Sequence, residues 1–140
     1  MSAVDARDWP YLRVALAVVA VLAVGEVVAW KVHDWRYPPP TRLESTLRCL
    51  ESEKGLLVTA PAGDPISATA TDGSVRTTVE GNGVIIALAG DEEQARKLER
   101  SYHAVGGALS GRLERRGNNV FLWEGPSSPT QRQTTYDCQY

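Results

Sequence analysis

The chain has 140 residues, 43% hydrophobic and 23% charged, and 15 Lys and Arg against 17 Asp and Glu leave a formal net charge of −2. That length suits one small domain and is too short for two with separate cores. The charge balance argues against a nucleic-acid binder, and the composition excludes collagen, coiled coil and a wholly disordered chain.

The run from Val14 to Val24 is uncharged and almost wholly aliphatic. Extended to Tyr11 and Trp30 it gives 20 residues, roughly 30 Å of helix, which is the thickness of a bilayer core. Trp9 and Tyr11 precede it and Trp30, Trp35 and Tyr37 follow it, as at the two headgroup regions. The expectation is a cytoplasmic segment over 1–10 and a transmembrane helix or uncleaved signal anchor over 11–30. The rival is a cleaved signal peptide, with Arg7 and Arg13 as its charged start and Ala23-Val24-Gly25 as its cleavage site. Either reading sends the rest of the chain outside the cytoplasmic membrane. Two features of the run suit a partner helix: the small pair Gly25 and Ala29, and the carboxylate of Glu26.

Residues 31–40 end in Pro38-Pro39-Pro40 and read as a stiff polyproline spacer. His33 beside Asp34 reads as a solvated polar flank. The domain then spans 41–140. Thr41-Arg-Leu-Glu44 is a capping box opening a helix with Leu43, Leu47 and Leu50 on one face. Leu56–Ala60 reads as a short strand, ended by Pro61-Ala-Gly-Asp-Pro65. The weakly apolar pieces Ile66–Thr71 and Ser74–Glu80 read as an edge hairpin or a mobile loop, with turns at Asp72-Gly73 and Gly81-Asn82-Gly83. Val84–Ala89 is apolar on both faces and predicts a central strand.

Asp91 opens a helix whose stripe is Ala95, Leu98, Tyr102, Val105 and Leu109, with Gly106-Gly107 ending its regular part. Arg112–Arg116 and Val120–Glu124 flank Gly117-Asn118-Asn119 as a hairpin. Ser128-Pro129-Thr130-Gln131 caps a last helix that carries Tyr136 and Cys138. The order predicts an α+β fold, an antiparallel sheet with helices packed mainly on one face.

Cys49 and Cys138 are the only cysteines and lie near the two ends of this domain. They read as one disulfide joining the first and last helices, with Cα atoms about 5 to 6 Å apart. Such bonds persist in oxidising compartments, which places the N-terminus inside and the domain outside. The 12 Arg against 3 Lys, with abundant Ala and Val, match a GC-rich bacterial source.

Catalytic motifs are missing from the sequence. Gly81-Asn-Gly83 lacks a third glycine and precedes a strand, so it reads as a turn rather than a dinucleotide loop. Asp91-Glu92-Glu93 is explained by the helix dipole, and His103 reads as an exposed helical histidine. Arg112, Arg115 and Arg116 crowd one hairpin and could meet an anionic lipid or wall polymer. The sequence therefore predicts no enzyme, cofactor, metal or nucleic-acid partner. It predicts a single-pass protein of a bacterial envelope, in contact with the bilayer, whose small domain acts as an interaction or accessory module. The alternative is a ligand- or anionic-lipid-binding module built on the three arginines.

Overall fold

The computed structural model describes residues 9–36, 39–106 and 111–139. The segment before Trp9, the pair Tyr37 and Pro38, and Gly107 and Leu109, for which the sequence carries expectations, lie outside the described residues. Two compact units are present, divided between Pro39 and Pro40.

The first unit contains one helix, α1 (Trp9–Arg36), of 28 residues. Lys31–Arg36 belong to this helix, so the polyproline spacer expected to begin at Lys31 does not do so. The aliphatic run continues without a helix breaker into that segment, and a started helix propagates at little cost. Among the described residues no helix is long and apolar enough to cross a membrane. The described residues thus do not amount to the span expected over 11–30.

The second unit is α+β. Helix α2 (Arg42–Arg48) opens with the predicted capping box: Thr41 Oγ1 accepts from Glu44 N–H and Glu44 accepts from Thr41 N–H. It runs into a π-helical turn, Cys49–Glu53, and Gly55 leaves that turn at φ 66°. Five strands follow in the spatial order β1-β2-β3-β5-β4, every neighbouring pair antiparallel. They are β1 (Val58–Thr59), β2 (Ser74–Val79), β3 (Asn82–Leu88), β4 (Leu113–Arg116) and β5 (Asn119–Trp123). Helix α3 (Glu92–Val105) separates β3 from β4, and α4 (Pro129–Tyr136) closes the unit. Strands β3 and β4 point the same way with β5 between them, so β3-α3-β4 is a crossover into which the returning strand is inserted.

Strand β3 lies in the centre, as its two-sided apolarity required. Val84, Ile86 and Leu88 join Val75, Val79, Phe121 and Trp123 beneath Leu43, Leu47, Cys49, Leu50, Tyr136 and Cys138. On the opposite face Ala87 and Val120 pack against Ala95, Leu98 and Tyr102 of α3. Helices therefore cover both faces of the sheet, which corrects the expected one-sided packing. Alternation sends successive residues of β3 to opposite faces, and both sets are apolar, so each face needs a cover.

Further differences are local. The expected strand Leu56–Ala60 shrinks to Val58–Thr59, and Leu57 is 93% exposed. Ile66–Thr71 forms no strand but contains a 3-10 turn, Ser67–Thr69, whereas Ser74–Val79 is a fully paired inner strand. The β2–β3 loop is Glu80-Gly81 rather than Gly81-Asn82-Gly83. Both loop residues take positive φ, the twist that matches a two-residue hairpin, and Asn82 already pairs with Val79. Val105 is 75% exposed and does not continue the α3 stripe, because the helix stops at its Gly106 cap. Asp91 and Ser128 cap α3 and α4 as predicted, each accepting from the N–H three residues on.

Candidate functional site

The three arginines singled out in the sequence do not share a surface. Strand alternation sends Arg115 to the α3 side, where its guanidinium meets Glu99 at 3.0 Å and Glu92 at 3.6 Å. Arg116 goes to the α4 side, with its guanidinium carbon 4.4 Å from the Tyr136 ring centroid. Arg112 precedes β4 and donates to the Glu124 carbonyl at 2.6 Å. Each is held by the fold itself.

Polar chemistry instead gathers in three clusters, two tying a helix to the sheet and one tying a loop to a helix. Arg42, the first residue of α2, donates to Asp72 Oδ2 at 2.8 Å, the Ala89 carbonyl at 2.6 Å and Asn119 Oδ1 at 2.9 Å. One guanidinium thereby fastens α2 to the turn before β2, the end of β3 and the start of β5. Beside it lies an open depression of about 490 Å³ bordered by Gly90, Gly117, Asn118 and Gln139. The rigid, many-donor fork of Arg suits such a junction, which a Lys point charge could not span.

The second cluster centres on Glu114 of β4. Its Oε1 accepts from Arg132 at 3.1 Å and Ser127 at 3.3 Å, and its Oε2 accepts from the Tyr136 hydroxyl. Burial, followed by the hydrogen bond to Glu114 and the charge of that carboxylate, pushes the Tyr136 hydroxyl up to about 12. The Tyr136 ring also meets Phe121 edge-on at 5.2 Å. In the third cluster, Asp64 Oδ2 accepts from the Ser67 N–H at 2.7 Å and from the Tyr102 hydroxyl, which clamps the 3-10 turn to α3. Burial first, then Asp64, raises the Tyr102 hydroxyl well above its ordinary value. Both phenols stay protonated at neutral pH and act as donors, and the carboxylates they meet also accept from Ser67 in one case and from Arg132 and Ser127 in the other.

His103 is exposed on α3, and Glu92 and Glu93 sit in the first turn of that helix, where they oppose its dipole. Asn82 Oδ1 accepts from Gly125 N–H at 3.0 Å, and Gln131 Nε2 donates to the Val79 carbonyl at 3.1 Å, so the segment read as a turn around Asn82 is a fastening point for the β5–α4 connection. Among the described residues no three His, Cys, Asp or Glu side chains could hold a metal ion. In α1, Gly25 and Glu26 lie in an exposed stretch, and a Cβ built on Gly25 would meet nothing within 4 Å.

The cysteines do meet. A disulfide joins Cys49 and Cys138 across 89 residues with Cα atoms 5.4 Å apart, and both residues belong to the core cluster. Lys54 pairs with Asp137 at 2.8 Å and holds the Asp137 carboxyl below its usual value. Sequence reading missed Arg42, Glu114 and Asp64 because their partners stand 13 to 77 residues away, apart from the local Asp64–Ser67 contact. That last one carried a signal, since Asp followed three residues later by Ser in a Pro-containing turn is a local side-chain cap. No protein-family model, curated protein or solved structure matches the chain.

Proposed function

We propose that the chain is a single-pass membrane protein of a bacterial envelope, whose disulfide-stapled domain acts outside the cytoplasmic membrane as a non-catalytic interaction or accessory module. One observation carries the reading. Val14, Leu16, Val18, Val19, Val21, Leu22, Val24, Val27 and Val28 are between 52% and 72% exposed and occur on every side of α1. A helix apolar all round is stable only inside a large core or in lipid, because apolar area left in water costs about 25 cal/mol per Å². The sequence adds flanking Tyr11 and Trp30, which bring the run to bilayer length. The disulfide supports an oxidising compartment for the domain, with the N-terminus inside.

The polar clusters support a structural role, since the Glu114 carboxylate accepts from Arg132 and Ser127 and the Asp64 carboxylate from Tyr102 and Ser67, contacts that tie elements of the fold together. Contact with other envelope proteins fits this anchoring: Gly25 and Ala29 are the small positions in α1 that would let a partner helix approach closely, and Glu26 beside them could pair with a polar residue of that helix. The test is fractionation of the native host with alkaline carbonate, together with a reporter active only outside the cytoplasm fused after Tyr140. Pelleting with the membrane and an active reporter are expected. Release into the carbonate supernatant, or an inactive reporter beside an active N-terminal fusion, would overturn the anchor or its orientation respectively.

A further inference from the structure

The two sulfurs of the disulfide are not equally placed. Cys138 is 0% exposed and lies just past the C-cap of α4, Asp137, which is tied to Lys54. Cys49 is 1% exposed, yet it forms part of the wall of a surface depression of about 190 Å³ bounded by Ser45, Arg48 and Glu53. Glu53 places Oε2 3.7 Å from the Cys49 sulfur. Thiol–disulfide exchange requires an attacking thiolate to reach one sulfur while the other leaves as a thiolate. The depression offers an approach to Cys49 only, and any thiolate using it carries the same charge as the carboxylate beside its target. Arg48 on the same rim has the opposite effect.

We propose that the folded domain guards its disulfide, with Cys49 the sulfur open to attack and Glu53 the group that repels the attacking thiolate. In the exchange a bond forms between the incoming sulfur and Cys49, the Cys49–Cys138 bond breaks, and its electron pair goes to the Cys138 sulfur. That sulfur departs into an apolar core, where a thiolate is disfavoured, and either takes a proton from water or re-attacks Cys49. With a dithiol such as dithiothreitol, its second thiolate can displace Cys49 from the mixed disulfide. The reagent is then oxidised to a cyclic disulfide and the protein is left with two thiols. The proposal concerns the domain alone and stands whether or not α1 lies in lipid.

The purified full chain, treated with 2-mercaptoethanol and quenched by alkylation, should show the mixed disulfide on Cys49 in peptide mass spectra. Glu53→Gln should speed reduction by dithiothreitol about three- to fivefold at low salt, the effect of one unit charge at about 4 Å in water. Arg48→Gln should slow it. In Arg48→Gln, where the attracting charge is gone, the rate should rise as salt is added, and the gain from Glu53→Gln should vanish near 1 M salt. A mixed disulfide found first on Cys138 would overturn the proposal. So would equal rates for wild type and Glu53→Gln at low salt with unchanged circular dichroism. If that variant unfolds, the salt response of Arg48→Gln decides, and a rate that is flat or falls with salt would refute the guard.

Discussion

Replacing Arg42 by Met keeps the length and apolar stem of the side chain and removes the donors that join α2 to three parts of the sheet. Two of the acceptors left behind lie in the core: Asn119 is 3% exposed and Ala89 is 0% exposed. Stranding a buried acceptor costs about 1–3 kcal/mol, and two of them give a nominal 2–6 kcal/mol. The Arg42 and Asp72 side chains are 29% and 31% exposed, so water can reach part of the site and the ion pair itself adds little. The expected loss is therefore about 2–4 kcal/mol. At a slope near ~2 kcal/mol per molar urea, the midpoint of the full chain in detergent should fall by roughly 1–2 M. Arg42→Lys should recover less than half of this, because an ammonium cannot address three acceptors spread over the junction. Asp72→Asn, which retains an acceptor, should cost less than about 1 kcal/mol. A loss below about 1 kcal/mol for Arg42→Met, or full recovery with Lys, would refute the assignment of this guanidinium as the junction of the domain.

Two other outcomes follow from the same contacts. Replacing Cys49 and Cys138 together by Ala should lower stability by about 4–5 kcal/mol, the loop-closure entropy for a separation of 89 residues, and an unmoved urea midpoint would contradict it. The Tyr136 hydroxyl, raised to about 12 from an ordinary 10, stabilises the fold in its neutral form. That contribution is complete below pH 10 and is lost as the pH climbs through 12, so a urea series across this window should show falling stability with a shallower fall in Tyr136→Phe. Parallel curves for the two proteins would show that the phenol near Glu114 plays no part.

By itself the sequence determined several features that depend on neighbours along the chain. The capping box at Thr41–Glu44, the caps Asp91 and Ser128, the hairpin at Gly117-Asn118-Asn119, where Asn119 already pairs with Arg116, and the central position of the strand expected over Val84–Ala89, observed over Asn82–Leu88, were legible, because caps, turns and two-sided apolarity are local patterns. The cysteine pair was legible for a different reason, as two residues leave only one pairing. The tertiary structure alone decided which face each helix covers, because a strand apolar on both sides does not say which helix lies on which side. It also decided that Ser74–Val79 is an inner strand despite its threonines: Thr77 is 3% exposed and its hydroxyl donates to the Leu57 carbonyl, a partner 20 residues away. The arginines show the same division. Their crowding between 112 and 116 is written in the sequence, but the pleat sends Arg115 and Arg116 to opposite faces, and only the packed sheet supplies Glu99 to one and the Tyr136 ring to the other.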